Sequence, residues 1–120
     1  MQKRIVVAGC RDFCDYPRAK AYLETLLAEW QPEEPPILLS GKCRGADALG
    51  ERFAREKGWQ IEFHPANWDL HGRAAGPIRN KEMVDVCDIV VCFWDGQSRG
   101  TASLIQYAKA ADRELYIHYI

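Results

Sequence analysis

The feature that most constrains this chain is the apolar run Ile89-Val90-Val91-Cys92-Phe93. It stops at Trp94-Asp95-Gly96-Gln97-Ser98-Arg99-Gly100-Thr101 and passes into residues 102–111, where Leu104, Ile105, Ala108 and Ala111 share one face. A short run without polar alternation, bounded by turn residues and followed by a stripe at helical spacing, reads as buried strand, turn and helix. Similar units recur. Residues 4–9 form a first apolar run, and Ala19, Tyr22, Leu23, Leu26, Leu27 and Trp30 then recur at helical spacing from Pro17 to a stop before Pro32. Residues 37–40 lead through 40–47 into a helix with Leu49, Phe53 and Ala54 inside and Gly58 as its C-terminal cap. A third strand, 60–64, is followed by a long connection, 65–76, with no element of its own. Pro77 then opens a helix that turns Ile78, Met83, Val86 and Cys87 inward. A last strand spans 114–120.

Five strands alternating with four helices, each strand nearly all apolar, predict a parallel sheet covered on both faces. Right-handed crossovers make this an α/β three-layer, Rossmann-like sandwich with expected strand order 3-2-1-4-5, in one domain over residues 1–120. In such sheets ligands bind outside the carboxyl ends of the strands, where the order reverses. That point lies here between the first and fourth strands. The glycine-containing turns at 9–12, 40–47, 76–80 and 94–101, which also hold the four arginines Arg11, Arg44, Arg79 and Arg99, all fall on that edge, which argues for a shared site.

The chemistry of these turns suits an anion. The first N–H groups of a helix lack internal partners and carry the positive end of its dipole, so a phosphate can sit on them once glycine lets it approach. Arginines outnumber lysines ten to six, and Arg11, Arg44, Arg79 and Arg99 fall in these turns or helix starts. The planar guanidinium fork grips phosphate with paired hydrogen bonds, so the four are expected to converge. Trp68, in the long connection, is the better candidate for stacking on a base; Trp94 ends a buried strand and reads equally well as packing.

At 120 residues with 48% hydrophobic and 28% charged side chains, the chain has the profile of a folded globular domain. A formal net charge of −1 disfavours a nucleic-acid partner, because any polyanion would have to be bound by local charges alone. No apolar stretch approaches the ~18 residues of a membrane span and no leader is visible at the first residues, so a cytoplasmic protein is expected. Five cysteines, Cys10, Cys14, Cys43, Cys87 and Cys92, are expected to be free thiols, with Cys87 and Cys92 buried. His64, His71 and His118 show no ligand spacing, so neither a metal nor another cofactor is expected.

Five blocks in order carry a resemblance: Ala8-Gly9-Cys10-Arg11-Asp12-Phe13; Ser40-Gly41-Lys42-Cys43-Arg44-Gly45-Ala46-Asp47; Pro65-Ala66-Asn67-Trp68; Gly72-Arg73-Ala74-Ala75-Gly76-Pro77-Ile78-Arg79-Asn80; and Trp94 through Thr101. Together they resemble the YspA, or cpYpsA-related, family of the SLOG superfamily over residues 4 to about 118. The resemblance implies a Rossmann-like fold related to DprA and to the LOG phosphoribohydrolases, and a nucleotide-derived ligand. It implies ligand contacts from Gly9, Arg11, Ser40, Gly41, Arg44, Gly45, Asp47, Trp68, Arg79, Asn80, Asp95, Gly96, Ser98, Arg99, Gly100 and Thr101. Relatives are often dimers, so a homodimer is open, although no surface stripe demands one.

One departure matters. The LOG pattern Gly-Gly-x-Gly-Thr-x-x-Glu supplies a glutamate for cleaving an N-glycosidic bond; Gly100-Thr101 aligns with its Gly-Thr, but the glutamate position is Leu104. A leucine neither stabilises an oxocarbenium ion nor activates water. Two readings follow. One is a binding or sensor domain for a nucleotide or an ADP-ribose-like derivative. The other is a nucleotide-processing hydrolase that uses Asp47, Asp69 or Asp95 as its carboxylate.

Overall fold

Ile5, Val6 and Val7 of β1 (Arg4–Gly9) are sealed from solvent on both faces, which only a central strand achieves. The computed structural model describes residues 2–120 and pairs β1 in parallel with β2 (Ile37–Ser40) on one side and β4 (Ile89–Trp94) on the other. Val6 faces Leu39 in one pairing and Val90 in the other. Parallel β3 (Gln60–Phe63) and β5 (Glu114–Tyr119) form the edges, giving the expected order β3-β2-β1-β4-β5. The edges are not buried runs: β3 and β5 are half-exposed, because each has a neighbour on one side only.

Strand side chains alternate, so the sheet divides its apolar residues between two cores. Ile5, Val7, Leu38, Ile89, Val91 and Phe93 meet Ala19, Leu23 and Leu26 of α1 (Tyr16–Trp30) and Leu49, Phe53 and Ala54 of α2 (Ala46–Lys57). On the other face Val6, Leu39, Val90 and Cys92 meet Met83 and Val84 of α4 (Ala75–Val86) and Leu104, Ile105 and Ala108 of α5 (Arg99–Ala110). This is the three-layer arrangement. Gly58 ends α2 in the left-handed conformation, as its spacing predicts.

The connection before α4 departs from expectation. Residues 65–76 are not structureless: Asn67 caps a short helix α3 (Trp68–His71) by accepting from Leu70 N–H at 3.1 Å, and a 3-10 turn (Gly72–Ala74) follows. Helix α4 therefore begins at Ala75, with Pro77 as its third residue and not its first. The missing N–H costs nothing there, since the first four helical donors have no carbonyl to reach. Val86 is exposed and not inward, because Asn80, Met83, Val84 and Cys87 already define the buried stripe. Helix α5 starts at Arg99, ahead of its apolar stripe, with Ser98 at the cap. Among the described residues no helix is long and apolar enough to cross a membrane.

All five cysteines are free; Cys10, Cys87 and Cys92 are buried, Cys43 is half-buried and Cys14 is exposed. Burial pushes the Cys87 thiol up to about 11 and the Cys92 thiol up to about 12, so neither offers thiolate near neutral pH. In timed labelling of the native protein at pH 8, Cys14 should react first, with Cys87 and Cys92 modified only after denaturation. Prompt labelling of Cys92 would contradict the packing of β4 against α4 and α5.

Candidate functional site

At the carboxyl ends of β1 and β4, where the crossovers leave in opposite directions, a cavity of about 540 Å³ opens. Gly9, Arg11, Arg44, Asp47, Trp68, Arg79, Asn80, Asp95, Ser98, Arg99, Gly100 and Thr101 all line it. The four arginines thus share one wall system. Ser40, Gly41, Gly45, Gly96 and Asp69 do not line it. Cys10, Cys43 and Leu104 do, the first two without having been singled out as site residues. Their small apolar character gave no such signal.

Arg79 is the most constrained of the arginines at 7% exposure. Its Nη1 donates to the Gly41 carbonyl at 2.6 Å and lies 3.6 Å from Cys43 Sγ, and its Nε donates to Asn80 Oδ1 at 3.0 Å. Asn80 Nδ2 in turn donates to the Gly100 carbonyl at 3.2 Å. One hydrogen-bonded chain therefore joins the β2–α2 turn, the start of α4 and the start of α5. Gly41 and Ser40 support it from behind. A Cβ on Gly41 would come within 2.5 Å of Arg79 Nη1 and 2.9 Å of Asp47 Oδ2, so only glycine admits both side chains. The Ser40 hydroxyl donates to Glu51 Oε2 at 2.7 Å and accepts from Lys42 N–H at 3.1 Å, holding the turn. Gly45, at φ +79°, would press a Cβ onto the Cys10 and Arg11 carbonyls; it lets the β1–α1 and β2–α2 turns touch.

Asp47 stands in the first turn of α2 at 5% exposure. Burial pushes its carboxyl up from 3.8 to about 6, against the pull of the Arg79 charge and of the Cys43 N–H, with Glu51 adding to the rise. Asp95 is the opposite case. Its Oδ1 accepts from Ser98 and Gln97 N–H, both at 2.8 Å, which holds its carboxyl below the ordinary range and spends one oxygen on shaping the β4–α5 turn. Cys10 is pushed up by burial, and its thiol faces Asp95 and Ser98.

Helix α5 has no side-chain cap and no acidic residue in its first turn. Its first intrahelical bond runs from Ala102 N–H to Ser98 O, and among the described residues nothing accepts from the N–H groups of Arg99, Gly100 and Thr101. A Cβ on Gly100 would meet no atom within 4 Å. Arg11 and Arg99 are exposed at the rim, and Arg44 pairs with Asp12 at 3.6 Å across exposed side chains, an ion pair worth little. Trp68 is 51% exposed and its ring edge covers Gly76. Trp94 is structural: its Nε1 donates to Ser98 O at 3.1 Å and its ring meets Tyr119. Asp69 lies on exposed α3, away from the cavity wall.

The Asp47 carboxyl makes a measurable demand on stability. Between pH 3.8 and about 6 the folded state holds a proton that the unfolded chain has released, so this group's contribution falls as pH rises and the destabilisation is complete above about 6. A shift of that size corresponds to on the order of 3 kcal/mol. Asp47→Asn should therefore gain stability relative to wild type as pH rises from 4 to 7, read by urea unfolding across the range. A wild-type-to-variant difference that stays flat with pH would contradict the burial argument.

A family model described as YspA, cpYpsA-related SLOG matches residues 3–71, more than half of the chain. Gene 61 protein of Mycobacterium phage D29 is 37% identical over 117 residues, spanning 91% of this chain and 90% of that protein. DNA processing protein A (DprA) from Streptococcus pneumoniae superposes with a TM-score of 0.72 at 16% identity, covering 98% of this chain and 50% of that one. This chain thus spans half the length of that protein. TM1055 superposes with a TM-score of 0.66 at 20% identity (96% and 72% covered), and DprA from Helicobacter pylori with 0.60 at 17% (96% and 64%). At these identities the structural likeness speaks for the fold, and the family rests on the sequence matches. The chain belongs to the YspA, cpYpsA-related SLOG family.

Proposed function

We propose that this domain binds a nucleotide or nucleotide derivative of the ADP-ribose kind, with a phosphate on the first turn of α5. The observation that carries this reading is that helix start: three N–H groups without an acceptor among the described residues, no acidic residue of its own in the first helical turn, and open space above Gly100, all on the cavity that Arg11, Arg44, Arg79 and Arg99 also line. A helix start of this kind holds an anion by backbone donors and dipole together. The cavity volume of about 540 Å³ lies within the range of small-molecule sites. Trp68, half-exposed at the mouth, offers a face for a base. The reading calls for no cofactor, and the free thiols fit a reducing, cytoplasmic setting.

Hydrolysis is the second reading, and Asp47 is the observation that favours it. A carboxyl that titrates near 6 inside a cavity has the protonation behaviour of a general acid or base. Of the other candidates, Asp95 is committed to its turn and Asp69 lies off the cavity wall, while Leu104, 1% exposed, occupies the cavity where LOG enzymes have glutamate. Binding without turnover is therefore the reading we favour. The H. pylori relative is described by its single-stranded DNA binding mode; for this chain, with net charge −1, we assign DNA the lesser role.

A thermal-shift screen with AMP, ADP, ADP-ribose and a short single-stranded DNA tests these readings together. A nucleotide at 100 times its dissociation constant should stabilise the protein by ~2.7 kcal/mol. Gly100→Val should remove that stabilisation while leaving the apo protein folded, because the added side chain fills only the ligand's approach. Free base or ribose 5-phosphate after long incubation, lost in Asp47→Asn, would establish the hydrolase instead. Affinity for the DNA alone, with a steep log-log salt slope, would overturn the nucleotide reading.

A further inference from the structure

Helices α2 and α5 both start at the cavity and differ in what they present. Helix α5 offers donors and no anion. Helix α2 carries its own buried anion, Asp47, at its head. The N–H groups of Cys43 and Gly41 lean toward that carboxylate, yet among the described residues none donates to it in ordinary hydrogen-bond geometry and no cation pairs with it within 4 Å. No fully enclosed side-chain oxygen or nitrogen lacks a partner among the described residues, so the bare oxygens of Asp47 reach the open space of the cavity. Arg79 is similar. Its Nε and Nη1 are spent on Asn80, Gly41 and Cys43, and among the described residues Nη2 has no partner on the same wall.

A desolvated carboxylate with free acceptor capacity beside a guanidinium with free donors selects its neighbour narrowly. A phosphate only accepts; it would suit Arg79 and be repelled by Asp47. An amine only donates; it would suit Asp47 and leave Arg79 unanswered. A hydroxyl both donates and accepts, and two adjacent hydroxyls match the two oxygens of the carboxylate. We propose that the Asp47–Arg79 end of the cavity is a receptor for the vicinal diol of a ribose, so the site prefers ribonucleotides or ribose phosphates to their 2′-deoxy counterparts. This deepens the proposed function and rests on a phosphate being held at α5. The cavity is then bipolar, with a phosphate end at α5 and a hydroxyl end at α2, and the ligand spans the point where the strand order reverses.

Calorimetric titration with two pairs of probes tests it: AMP against 2′-deoxy-AMP, and ribose 5-phosphate against 2-deoxyribose 5-phosphate. Loss of one hydrogen bond to a charged group should weaken the deoxy member of each pair by about tenfold or more. In Asp47→Asn that ratio should shrink toward one. Equal affinity of the two members of each pair for the wild-type protein would overturn the diol receptor and leave the phosphate reading standing. Binding of neither pair would overturn both. The wild-type ratio is decisive even if the variant proves unstable.

Discussion

The site depends on one hydrogen-bonded chain, from the Gly41 carbonyl through Arg79 and Asn80 to the Gly100 carbonyl. Its members come from three elements that meet only because β1 pairs with β2 on one side and β4 on the other. A buried guanidinium is costly unless its donors are used and an opposite charge lies near, and here Gly41, Asn80 and the charge of Asp47 meet those conditions. The arrangement also explains why α4 opens with Ala75 and Gly76: small residues let its first turn sit close to the sheet edge, with Ala75 fully buried and Gly76 under the rim of Trp68.

The same chain gives the cavity its polarity. Asp47 and Arg79 lie together at the β2 side, where the burial of Asp47 raises its proton affinity, while the α5 side is rich in donors and free of carboxylates in its first helical turn. Asp95, in the turn just before α5, gives one oxygen to its own backbone, so its charge organises the β4–α5 turn. Two acids in one crevice thus have distinct environments, one desolvated and one hydrogen-bonded, and their proton affinities move in opposite directions.

The likeness to DprA and TM1055 extends over nearly the whole of this chain and accords with its sheet order. It does not decide the chemistry. A shared fold carries many functions, and the differences lie in a few side chains at the strand ends. In this chain those side chains include Leu104 and Asp47, both buried on the cavity wall.

The sequence by itself determined the sheet and its order, because apolar runs and helical stripes report burial over a few residues and right-handed crossovers leave few topologies open. It also located the crevice, since glycine and arginine gathered at the strand-to-helix turns. It overlooked α3, a single turn too short for any periodicity and set by the Asn67 cap, and it misjudged Val86, which falls outside the stripe that Asn80, Met83 and Val84 bury. What only the tertiary structure decided was the division of labour among residues that look alike in the chain. Arg79 is buried and directed by Gly41 and Asn80 whereas Arg44 stands in solvent, and Asp47 is desolvated whereas Asp95 is tied to its own turn. The physical reason is distance along the chain: Arg79 is fixed by a carbonyl 38 residues away, and no local pattern records where a long side chain finds its partner.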